Sequence, residues 1–164
     1  MSPAARTRAL AAAAALGIAA AITVARADKG AAEASRGPFV PGLGEIMSLQ
    51  QARHAKLWMA GARRNWPLAA YELDELREGF EDASALHPVF ESVPVAALVA
   101  SLTPGPLDAV GKAIEAKDAA GFRKSFDGLT AACNACHRAA TRGFIVITRP
   151  QGPAFGNQRF APLR

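Results

Sequence analysis

FRKSFDGLTAACNACHRAA, residues 122–140, sets Phe122, Phe126, Leu129, Cys133 and Cys136 at four-three-four-three spacing. That is the seam of an amphipathic helix packed inside a bundle. Asp118 is a suitable N-cap and Gly143 a suitable C-cap, so the spacing predicts a helix from about 119 to Thr141. Both cysteines of the chain lie in it, three apart, and His137 follows the second directly.

The segments before this helix read the same way. Leu43 to Arg63 repeats Ile46, Leu49, Arg53, Leu57 and Ala60 on one stripe. Met47, Gln50, His54, Trp58 and Gly61 run beside it. A second helix starts at the N-cap Asn65, with Pro67 in its first turn, and stops before Pro88. Leu68, Tyr71, Leu73, Leu76 and Phe80 are its expected apolar face. Glu72, Asp74, Glu75, Glu78, Glu81 and Asp82 are its expected solvated one. VPVAALVASL, 93–102, reads as a short helix or a buried connection. Pro106 to Lys117 reads as a helix with Leu107, Val110 and Ile114 inward. The expected fold is all-α: an antiparallel four-helix bundle over residues 43–142, with an extended C-terminal arm over 143–164. The arm opens with Phe144, Ile145, Val146 and Ile147, too apolar a run to leave in water, so it should dock on the bundle.

Residues 1–27 have the organisation of an export leader. Arg6 and Arg8 precede the apolar stretch ALAAAAALGIAAAITVA, and Ala25-Arg26-Ala27 fits a small-x-small cleavage site. An uncleaved anchor is the other reading, but so Ala-rich a stretch is weakly hydrophobic. With cleavage after Ala27 the mature chain is expected in the periplasm, led by a Gly/Ala/Ser/Pro-rich segment, 28–42. The whole chain has 19 basic and 14 acidic residues. Arg6, Arg8 and Arg26 leave with the leader, so the mature balance is 16 against 14, or +2. Such a balance, with no Lys/Arg run, does not describe a nucleic-acid binder.

Cys133-x-x-Cys136-His137 has the spacing of covalent haem attachment. Two thiols must meet the two vinyl groups on one edge of the porphyrin. Helical residues three apart lie about 5 Å apart along the axis and almost on one face. His137, four after Cys133, is near the same face and supplies the imidazole for the iron. Two other chemistries use this pattern. A dithiol redox motif sits at a helix start after a strand, where the thiol pKa falls; here the motif is deep in a helix. A zinc site needs four ligands, and His54 could be the fourth only by joining two distant helices. The reading is one haem c, thioether-linked to Cys133 and Cys136, with His137 as proximal iron ligand. No acid-base or nucleophile constellation stands beside the motif, so an enzyme is not expected.

A C-x-x-C-H motif on the last helix of four resembles the class II c-type cytochromes, the cytochrome c-prime group and its low-spin relatives. WMAGARRNWPLAAYEL, 58–73, is similar to their link, in which a Gly ends the first helix and a Pro step opens the second. The resemblance spans roughly Leu43 to Thr141; the long tail after the motif departs from it. It implies a sixth ligand on the first helix. Low-spin members place a Met about four turns before that Gly, and Met47 stands fourteen residues before Gly61. His54, two turns further on, is the alternative, and c-prime proteins leave the site open. A Met ligand favours electron transfer to a redox partner protein. An open site favours binding of nitric oxide or carbon monoxide. The resemblance also implies a homodimer through the first two helices as an option. A different class of reading is a haem-free exported helical module that binds a partner.

Overall fold

The helices follow from where the sequence can cap them. In a computed structural model, described for residues 39–152 and 155–162, α1 is Leu43–Ala62, α2 Trp66–Leu86, α3 Val95–Leu102, α4 Pro104–Glu115 and α5 Ala119–Ala139. The leader, 1–27, and residues 28–38 of the segment that follows it lie outside the described residues. The fold is all-α. Among the described residues the only β pairing is an isolated bridge, Phe90 to Val93, and no helix is long and apolar enough to cross a membrane.

Asn65 caps α2 by accepting from the Leu68 N–H, and Asp118 caps α5 by accepting from Ala120. Three helix ends close alike. After α1 the Asn65 N–H reaches back to the Ala60 carbonyl and Arg64 to Gly61. After α4 Asp118 reaches Ala113 and Lys117 reaches Ile114. After α5 Arg142 reaches His137 and Thr141 reaches Arg138. This is the Schellman closure, whose turning residue is left-handed. Arg64, Lys117 and Thr141 take that conformation, with φ of 58°, 52° and 57°. Thr141, not the expected Gly143, therefore ends α5. Gly61 has a different task from ending α1. A Cβ there would stand 2.1 Å from Phe122 Cζ, so the bare backbone makes room for the Phe122 ring.

α1, α2, α4 and α5 form a closed ring of neighbours: α1 on α2, α2 on α4, α4 on α5, and α5 on α1. The short α3, left open by the sequence, packs on α2, α4 and α5. The main core joins Leu57, Leu73, Leu76, Val110, Ile114, Phe122, Phe126 and Leu129, with Phe160 of the arm. A separate small cluster, Ile46, Ala83 and Val95, lies apart from it.

Two expected faces are rotated. On α1 Leu49 is 56% exposed, whereas Gln50 and His54 are buried. Gln50 Nε2 donates to the Leu76 carbonyl at 2.8 Å, which makes its burial tolerable. Gly79 leaves the space, since a Cβ there would be 2.3 Å from Gln50 Oε1. On α2 Tyr71 is 58% exposed and Glu72 only 2%. Burial pushes the Glu72 carboxyl pKa up, and the Lys56 charge opposes the shift.

The arm docks, but not by burying its whole apolar run. Phe144 and Val146 stay 78% and 67% exposed and Ile145 44%, while Ile147 and one side of Ile145 line a cavity. Ile145 closes a turn on the Arg142 carbonyl, and the chain is irregular from there. Further on, Phe155 and Phe160 pack against the core.

Candidate functional site

Beyond Leu129 the seam of α5 offers Cys133, Cys136 and His137 in place of larger apolar side chains. The helices do not close over them. What remains is a mostly apolar cavity of about 510 Å³. α1 lines it with Leu43, Met47, Gln50 and His54. α2 adds Leu76 and Phe80, and α3 adds Val95, Leu98 and Val99. Ile145 and Ile147 of the arm complete the wall. Cys133, Cys136, His137, Met47 and His54 thus all open onto one space. The α3 residues had no signal of their own; an apolar octapeptide shows no period from which a cavity wall can be read.

Both thiols are held neutral. Burial, first, and then Cys136 raise the Cys133 pKa to about 11, and burial raises that of Cys136. The motif occupies the last two turns of α5, at the negative end of the helix dipole. Both facts oppose a reactive thiolate, which wants a helix N-terminus or a cationic neighbour. Among the described residues no three His, Cys, Asp or Glu side chains converge as an ion-binding group.

The two histidines have definite tautomers. His137 Nδ1 is 2.8 Å from the Ile145 carbonyl. A carbonyl only accepts, so Nδ1 is the donor, and in the neutral ring this leaves the lone pair on Nε2. His54 Nε2 is 2.9 Å from Thr130 Oγ1, and that hydroxyl donates to the Phe126 carbonyl at 2.9 Å. Thr130 has spent its one proton, so His54 Nε2 is the donor. Its ring lies 4.4 Å from that of Phe126, and burial lowers its pKa to about 4. His54 is therefore a neutral, hydrogen-bonded cavity residue whose Nε2 is already engaged. Met47 is half-buried against the Ile46 cluster and has no such commitment.

Near the rim, Glu91 pairs with Arg142. The turn that carries Glu91 is tight: Phe90 and Val93 exchange both main-chain hydrogen bonds. Glu91 and Ser92 sit at φ of 47° and 70°, as a type I′ turn requires. Neither Arg142 nor Thr130 was visible as a site residue in the sequence, since each acquires its role from a residue more than fifty positions away.

No protein-family model, no curated protein and no solved structure matches this chain.

Proposed function

We propose that this chain is an exported monohaem c-type cytochrome of the class II kind that carries electrons to and from a redox partner protein. The observation that supports it most is the shared cavity. Two neutral thiols and an imidazole with a free Nε2, all from the end of one helix, open into an apolar space of about 510 Å³. Ligand cavities of that size and lining are the ordinary range for a bound organic group. The residues present fit a haem: Cys133 and Cys136 would hold it by thioethers and His137 would ligate the iron. Such a group supplies a one-electron couple.

The chain's own residues do the rest. Met47 is the proposed sixth ligand in preference to His54, because Nε2 of His54 already serves Thr130. A thioether does not take up a proton near neutral pH, and a Met ligand raises the potential. Phe80, Leu98 and Val99, with Ile145 and Ile147, give the cavity its apolar wall.

The test is production of the full chain with a cytochrome maturation system, followed by mass and absorption spectra in both oxidation states. The expected mass is that of Asp28 to Arg164 plus one haem, retained through acid and organic extraction, with a low-spin ferric spectrum. The bare polypeptide mass would sink the reading. An attached haem that is high-spin and takes carbon monoxide readily would replace electron transfer with gas binding.

A further inference from the structure

From Thr141 the chain turns back and runs along α5 towards its N-terminus. Ile145 meets His137, Ile147 meets Asn134, and Arg149 meets Asp127 at 2.6 Å. Arg149 also lies over the Trp58 ring of α1, 4.3 Å from its centroid. The Asn134 contact has two points. Its Nδ2 donates to the Ile147 carbonyl at 2.8 Å, and its Oδ1 accepts the Ile147 N–H at 2.8 Å. A primary amide offers one donor face and one acceptor face in the plane of a peptide group. It therefore pairs with an extended residue as a neighbouring strand would. Among the described residues no main-chain partner serves Ile147, so both of its main-chain groups are held by this one side chain. Two residues earlier, where the chain leaves the Arg142–Ile145 turn, the Ile145 carbonyl meets His137 Nδ1.

We propose that Asn134 is a positioning residue: by gripping Ile147 at both main-chain groups it holds the Ile145 carbonyl on His137 Nδ1, which fixes the imidazole tautomer and leaves Nε2 as the ligating atom. This rests on the haem reading for its purpose but not for its geometry. An unrestrained neutral imidazole in water favours the Nε2–H tautomer, which has no lone pair on Nε2 to give. A carbonyl on Nδ1–H reverses the preference, orients the ring and makes it a stronger base towards a metal. The arm thus orients the His137 imidazole from a segment outside the bundle. Asn134 occupies one of the two free positions between the cysteines.

The experiment has two arms on the full chain. In metal-free protein with 15N-labelled histidine, above the histidine titration range, the parent is expected to show His137 as the Nδ1–H tautomer. The signal is assigned by its loss in His137→Gln. Asn134→Ala should move that signal towards Nε2–H. Asn134→Asp, which keeps the acceptor for the Ile147 N–H, should fall between the two and carries the test if the alanine variant does not fold. In haem-loaded protein the same order should appear as an upward shift of the reduction potential, because a less basic imidazole favours ferrous iron. A parent with no haem by mass overturns the cytochrome reading and the clasp's purpose together. A parent that carries haem, with tautomer and potential unchanged in Asn134→Ala and Asn134→Asp, overturns the clasp alone.

Discussion

Met47 and His54 both reach the cavity, and substitution separates them. Met47→Ala is expected to turn the oxidised, haem-loaded protein high-spin, to admit carbon monoxide on reduction and to lower the potential. His54→Ala should leave the spin state as it was; the opposite pattern assigns the ligand to His54. The buried histidine has its own pH signature. Its folded pKa, about 4, lies below the ordinary 6.5, so the unfolded chain takes the proton first as pH falls. His54 therefore adds full stability above about pH 6.5 and loses it progressively towards pH 4. By pH 5 the loss is about 2 kcal/mol by linkage. Urea unfolding across this range should show that slope, and His54→Gln should flatten it by that amount. That Cys133, Cys136 and His137 share one helix face was legible from sequence, because their spacing acts within little more than one helical turn. The burial of Gln50 and His54 was not, because the partners that make it tolerable, the Leu76 carbonyl and Thr130, lie on other helices.

The ends of the helices and the crossing of α1 with α5 are where single changes act on whole elements. Lys117 is exposed and holds φ of 52°, a conformation that strains every residue with a Cβ. Lys117→Gly is expected to stabilise the fold by about 0.5–1 kcal/mol in denaturant melts, despite the greater freedom of Gly in the unfolded chain. Gly61→Ala has the opposite sign. Its methyl would meet the fully buried Phe122 ring on three atoms at 2.1–2.5 Å, so a loss of about 3 kcal/mol is expected from overpacking. An unchanged melt would show that the ring can move aside. The N-caps Asn65 and Asp118 were readable because a cap acts on the residues next to it. Thr141 was not read as the terminator of α5, because an αL residue other than Gly carries no mark of its own.

For the molecule as a whole the arm is the test. A chain ending at Arg142 loses Phe160 from the core and Ile145 and Ile147 from the cavity wall. Removing a buried Phe alone typically costs about 3–5 kcal/mol. The truncated chain should melt clearly earlier and, when loaded, show a shifted potential. If neither changes, the arm is an independent tail. An all-helical chain with its cysteines and His137 on one helix face was set by the sequence itself, through apolar period, caps and the spacing of three side chains, all of which act over a few residues. The tertiary structure decided the rest. It buried Gln50, His54 and Glu72 and turned Leu49 and Tyr71 outward. It brought Ile147 and one side of Ile145 to the cavity wall, left Phe144 and Val146 outward, and set the Ile145 carbonyl on His137 Nδ1. Each of these depends on a hydrogen-bond partner or a neighbouring surface supplied by another element, and no local pattern encodes which element that will be.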